Sequence, residues 1–195
     1  MRLGRYDVVG RLGRGGMGTV YAAVDRERDA PVALKTLHVA EAGAEVRLKR
    51  EFRTVADLVH PNLAPVYELG CEDGLWFFTM EHVRGRTLTE WAHGETDDAP
   101  PLHTELPVSR TLSGAGLTPV DTVQDYSLPS SPAPTDVQPP RRSMREIEAM
   151  LRELASGIAA LHDAGLRHGD IKPDNVLVRD DGRVTVVDFG LSQLV

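Results

Sequence analysis

Apolar and polar positions change rhythm twice along this chain, dividing it into three stretches. In the first, residues 1–92, short β-type runs dominate. Tyr6 to Leu12 reads as a strand leading into a glycine cluster, and Thr19 to Val24 resumes as a second strand, so the pair predicts a hairpin around a glycine-rich turn. Arg26 to Ala30 is a polar turn, and Pro31 opens a third run, Val32 to Leu37. The period then shifts. Leu48, Phe52, Val55 and Val59 recur at spacings of four and three, the stripe of an amphipathic helix. His60-Pro61-Asn62 stops that helix, because proline disfavours helical backbone in the residue before it. Leu63 to Gly70 and Leu75 to Met80 are two further strands, with Glu72-Asp73-Gly74 as the hairpin signal between them.

The second stretch, residues 93–143, is rich in Pro, Ser, Thr and Asp and includes Pro100-Pro101, Pro129, Pro132, Pro134 and Pro139-Pro140. It has too little apolar surface to offset its ordering entropy, so the expectation is a disordered insertion between two folded parts. The third stretch, residues 144–195, opens with Ile147, Leu151, Leu154, Ile158 and Leu161 at helical spacing, and Gly165 suits the helix C-terminus. Val176 to Val178 and Val184 to Val187 read as short strands turned by Asp180-Asp181-Gly182. Strands followed by helix and strands place the chain in the α+β class.

Composition narrows the function classes. A net charge of −7 over 195 residues argues against a general nucleic-acid binder. The single cysteine, Cys71, excludes a disulfide within the chain. No apolar run reaches the roughly 18 residues of a membrane span. No apolar segment follows the N-terminal charges, so a secretory signal is not expected and the location expected is cytoplasmic.

Two motifs carry chemistry. Gly13-Arg14-Gly15-Gly16-Met17-Gly18 lets backbone approach a phosphate closely, though alone it reads equally as a glycine-rich turn. It leads from strand to strand, whereas dinucleotide-binding glycines lead from strand to helix. The stronger signal is Leu166-Arg167-His168-Gly169-Asp170-Ile171-Lys172-Pro173-Asp174-Asn175, followed after one hairpin by Asp188-Phe189-Gly190. Phosphoryl transfer needs positioning and charge neutralisation more than covalent work. Asp170 suits acceptance of a hydroxyl proton and Lys172 neutralisation of the moving phosphoryl group. Asn175 and Asp188 offer the hard oxygen donors that Mg²⁺ takes alongside phosphate and water.

With these residues the chain resembles the bacterial-type (eukaryotic-like) serine/threonine protein kinases over nearly all its length except 93–143. The resemblance implies a protein-kinase-like fold: a five-stranded antiparallel N-lobe with one helix, then a partial, mainly helical C-lobe. It implies ATP and Mg²⁺ as cofactors and a protein bearing Ser or Thr as substrate. Lys35, in Val32-Ala33-Leu34-Lys35, would hold the α- and β-phosphates and be held by Glu51 of the helix. Gly13, Gly15, Gly16 and Gly18 would cover the phosphates. Met80 would be the gatekeeper and Glu81-His82-Val83 the hinge, with the backbone of Glu81 and Val83 binding the adenine edge. Val20, Ala33 and Leu177 would sandwich the purine and Leu12 would cap it. His168 would be structural rather than a base.

The sequence departs from the family twice. Gly169 stands where an arginine usually precedes the catalytic aspartate, so activation through a phosphate paired with that arginine is not expected. His168-Gly169-Asp170 also resembles small-molecule phosphotransferases of the aminoglycoside type, a rival reading. The chain ends at Val195, shortly after Asp188-Phe189-Gly190, which suggests a truncated kinase whose helix 144–164 would need a partner to supply the missing C-lobe surface. A catalytically weak or inactive ATP-binding regulatory module is the further alternative.

Overall fold

A computed structural model describes residues 1–15, 18–37, 44–94 and 142–189. Strands β1 (Arg2–Leu3), β2 (Tyr6–Gly15), β3 (Gly18–Asp25), β4 (Ala30–Leu37), β5 (Val66–Glu72) and β6 (Leu75–Glu81) form one antiparallel sheet in the order β1-β2-β3-β4-β6-β5. The sheet therefore has six strands where five were expected. The extra strand is β1, whose two residues fold back on Tyr6 and Asp7 through Gly4 at φ 55°. A two-residue strand of one basic and one apolar residue carries no readable alternation.

The central strand β4 explains the sheet's two faces. Alternate residues of a strand point to opposite sides. Val32 and Leu34 pack with Leu3, Tyr6, Ala23 and Phe77 on one face. Ala33 and Leu37 join the other face with Phe78 and Met80, and helix α1 (Ala44–Ala56) adds Leu48 and Val55 to that cluster. Helix α1 ends before Val59, which the helical stripe had included; Val59 is 88% exposed.

Beyond β6 the chain crosses through residues 82–85 to β7 (Arg86–Thr87) and a short helix α2 (Leu88–His93), neither anticipated from sequence. Thr87 caps α2: its hydroxyl accepts from the Glu90 amide while the Glu90 carboxylate accepts from the Thr87 amide. Helix α3 (Met144–Asp163) follows, then a 3₁₀ turn (Pro173–Asn175), β8 (Val176–Val178) and β9 (Val184–Val186). A second sheet runs β7-β8-β9. The proposed insertion 93–143 lies outside the described residues except at its margins. There His93 and Gly94 close α2, and Arg142 stacks on Trp91 at 4.9 Å while Ser143 caps α3.

The face that α3 buries differs from the expected stripe. Met150, Gly157 and Leu161 are buried, with Ile147 and Leu154 packed beside them, whereas Leu151 is 52% exposed. Met150 and Leu151 are both apolar neighbours, so spacing alone does not decide between faces about 100° apart. The two lobes join through the segment after α1. The Ala64 amide donates to the Val186 carbonyl at 3.0 Å and the Val186 amide to the Asn62 carbonyl at 2.8 Å. The Asn62 side chain donates to the Val184 carbonyl at 2.8 Å and to Glu153 at 3.1 Å.

Candidate active site

A cleft of about 510 Å³ opens between the sheet of the first lobe and the β8–β9 hairpin of the second. Its roof is made by the facing ends of β2 and β3, with Leu12, Gly13, Gly15 and Gly18. Glycine is required at Gly18. Its φ is 145°, and a Cβ there would stand 1.8 Å from the Thr36 carbonyl oxygen. Gly16 was expected in this roof and lies outside the described residues.

At the inner end, Val20, Ala33, Met80 and Leu177 supply apolar walls, and Glu81 and Val83 line the edge where the chain leaves β6. The Glu81 amide already donates to the Pro65 carbonyl at 2.9 Å. That leaves the carbonyl of Glu81 as its backbone group for a ligand. An apolar slot with backbone polar groups along one edge suits a flat heteroaromatic ring.

The outer end is charged. Lys35 points from the inner face of β4 and is 6% exposed. Its ammonium donates to Asp188 at 2.5 Å. Asp170 accepts from Lys172 at 2.7 Å and from the Asn175 amide group at 3.1 Å, and its backbone carbonyl accepts from Asn175 at 2.8 Å. The hydrogen bond from Lys172 is the main reason the Asp170 carboxyl sits below its ordinary range, and the same bond raises Lys172. Asp170 is thus a carboxylate at neutral pH. His168 is 2% exposed and works beneath the loop. The Asp170 amide donates to its Nδ1 at 3.2 Å, so its Nε2 carries the proton and donates to the Val187 carbonyl at 3.1 Å. Burial pushes its pKa down. A buried, neutral imidazole with both nitrogens engaged is a brace and not a base.

Every expected site residue within the described set lines the cleft except Glu51. Glu51 sits half-buried on α1, and among the described residues no ion pair joins it to Lys35. A buried ammonium needs a carboxylate within ion-pair reach, and Asp188 supplies it. The expected Lys35–Glu51 pair is therefore replaced by Lys35–Asp188. The cleft also includes His82, which the resemblance placed in the hinge between Glu81 and Val83, and Arg14, Thr87, Asp174 and Val187, to which sequence reasoning had given no role. Asp174 and Val187 adjoin assigned residues and were findable from the motif. Thr87 depends on the path of the chain after β6.

The residues fit a nucleotide triphosphate with Mg²⁺. The charged end offers two ammonium groups, Lys35 and Lys172, and two hard oxygen donors, Asn175 and Asp188. Among the described residues no cluster of three or more His, Cys, Asp or Glu could hold a metal unaided. Such a sparse donor set matches a cation that takes its remaining ligands from phosphate and water.

Two lobes, a glycine roof and this charged floor define a protein kinase fold. The chain belongs to the protein tyrosine and serine/threonine kinase family, whose sequence model matches residues 7–195. The serine/threonine-protein kinase PknL of Mycobacterium tuberculosis is 33% identical over 98% of this chain and 38% of its own length. PrkC of Bacillus subtilis, also a serine/threonine-protein kinase, is 30% identical over 97% of this chain and 23% of its own. The crystal structure of the Mycobacterium tuberculosis PknI kinase domain superposes with a TM-score of 0.61 at 25% identity, covering 97% of this chain and 61% of that domain. The chain thus spans well under half the length of these curated relatives.

Proposed function

We propose that this domain transfers the γ-phosphate of ATP to Ser or Thr hydroxyls of a protein substrate. One observation carries the reading. Lys35, Asp170, Lys172, Asn175 and Asp188, spread over 153 residues of sequence, converge on one cleft beneath the glycine roof. In this reading Asn175 and Asp188 would hold Mg²⁺, which would supply neutralisation of the phosphate charge. Lys35 orients the α- and β-phosphates. Asp170, ionised at neutral pH, accepts the proton of the substrate hydroxyl, and Lys172 offsets charge on the group in transit. Glu51 is the carboxylate that would hold Lys35 once Asp188 turns to the metal. The reaction proceeds in the cytoplasm in this proposal. The test is transfer of labelled phosphate from ATP to a generic basic protein. The full chain should exceed an Asp170→Asn variant by about 100-fold or more. Equal signals from the two would reject catalysis by this chain.

One observation favours a second reading, an ATP-binding module with little transfer. Lys35 is tied to Asp188 and not to Glu51. That module would show Mg·ATP-dependent thermal stabilisation, lost in Lys35→Ala, with no phosphate transfer. At about 100 times Kd the expected stabilisation is about 2.7 kcal/mol. No observation of this structure favours the small-molecule phosphotransferase.

A further inference from the structure

The segment joining the lobes is clamped from behind by one arginine. Arg179 follows β8 and is held in its own turn, its amide donating to the Arg183 carbonyl and its carbonyl accepting from the Gly182 amide, both at 2.9 Å. Its guanidinium then makes three bonds. Two go as a fork to the Glu81 carboxylate, at 2.8 Å and 2.6 Å. The third, from Nε, goes to the hydroxyl of Thr185, at 2.8 Å. Thr185 is fully buried and pairs across the hairpin with Leu177, the floor of the cleft. The pairing with Glu81 is also what raises Arg179 above its ordinary value.

Glu81 is the last residue of β6 and the first of the crossing. The other end of the crossing meets the same place. A Cβ on Gly85 would stand 2.4 Å from the Val178 carbonyl oxygen and 3.0 Å from the Arg179 Cα. Arg86 then pairs with Val178 in the second sheet. Both ends of residues 81–85 are thus fixed on Val178 and Arg179, one by a charged fork and the other by backbone contact. A planar bidentate fork sets direction as well as distance, which a lysine's point charge does not.

We propose that Arg179 is a positioning residue: by clamping Glu81 to the β8–β9 hairpin, it holds the backbone of residues 81–83 in the arrangement that receives the adenine ring. This rests on the ATP-binding reading above. The Glu81 carboxylate is taken up by Arg179, which is not among the residues lining the cleft, so the arginine would act on the ligand through the backbone of Glu81. Freed of the fork, the crossing samples other arrangements, and the apparent affinity falls by the fraction of time spent in the competent one. The loss belongs to the adenine end. Lys35 and Asp188, at the opposite end, keep their own contacts.

The experiment is titration calorimetry of the full 195-residue chain with adenosine, Mg·ATP and Mg·tripolyphosphate. Arg179→Ala should weaken adenosine and Mg·ATP by the same factor, about tenfold, and leave tripolyphosphate within about twofold. Arg179→Lys should recover only part of the loss, because it keeps charge without the fork. Glu81→Gln should match Arg179→Ala in direction. Exchanging the two, Glu81→Arg with Arg179→Glu, should restore some adenosine affinity relative to either single change. A merely destabilised fold would weaken all three ligands alike, and that result overturns the proposal, as does unchanged or tighter adenosine binding in Arg179→Ala. If the unaltered chain binds neither adenosine nor Mg·ATP, the ATP-binding reading fails and this inference falls with it. Normal binding by the unaltered chain with no effect of Arg179 sinks this inference alone.

Discussion

At the scale of single residues, the site is governed by where charge is allowed to sit. Lys35 lies between Ala33 and Leu37 on the inner face of β4, in a position that would suit a valine. Burial of an ammonium is costly unless paired, so its link to Asp188 is a condition of the fold as well as a feature of the site. Asp188 itself adopts φ 65°, a left-handed conformation that aspartate tolerates better than most residues. His168 shows the opposite device, a titratable group kept neutral. Burial lowers its pKa against the pull of the Val187 carbonyl and of Asp188 and Asp170. A base whose folded pKa is depressed is bound by fewer protons in the native state than in the unfolded one. Its stabilising contribution is therefore complete above the unfolded value of about 6.5 and is lost as pH falls from there through the folded value. Urea unfolding between about pH 5 and pH 8 should show stability falling on the acid side. In His168→Gln that slope should be shallower; an unchanged slope would assign the acid sensitivity to other groups.

At the scale of elements, close approach sets the requirements. Helix α3 lies against the segment that follows α1, and Gly157 faces Asn62 there with little room for a side chain. A Cβ there would meet the Asn62 carbonyl oxygen at 3.0 Å and the Asn62 Cβ at 3.2 Å. Alanine at this position has two opposed effects, the gain of about 1 kcal/mol in helix propensity against a tight contact. Valine settles the sign, because its branches have nowhere to go. Gly157→Val should lower stability by about 1–3 kcal/mol, read as a reduced urea midpoint with unchanged m-value. The glycines of the roof answer a different need. Gly18 passes directly over the Thr36 carbonyl, which draws β3 close to β4 at the mouth of the cleft. Among the described glycines of the roof, Gly18 alone is required by steric contact. Gly13 and Gly15 have open space where a Cβ would be, so no steric contact requires glycine at either.

At the scale of the whole molecule, one core runs through both lobes. Leu48 and Val55 of α1 share a cluster with Leu161 of α3, Val186 of β9 and Phe189. Asn62 is the polar joint in that cluster, 6% exposed and bonded to the Val184 carbonyl and Glu153, while Glu153 also accepts from the Val184 amide at 2.8 Å. Asn62→Ala removes both donors and leaves the Val184 carbonyl short of a partner. It should cost about 2 kcal/mol in urea unfolding of the full chain. A change within about 0.5 kcal/mol would show that the joint is dispensable and that apolar packing alone unites the lobes.

The sequence alone determined the α+β class, the main strands, both long helices and most residues of the cleft. It could do so because strand and helix periods are local, and because Asp170, Lys172 and Asn175 lie within six consecutive residues whose chemistry is specific. The tertiary structure decided what depends on distance. Lys35 meets Asp188 across 153 residues and Glu81 meets Arg179 across 98, and no local pattern says which carboxylate a given cation will reach. It also decided which of two adjacent apolar residues, Met150 or Leu151, turns inward, since a helix offers both faces and only the partner surface selects one. Pairing and facing are settled by packing, and packing exists only when the separate segments have come together.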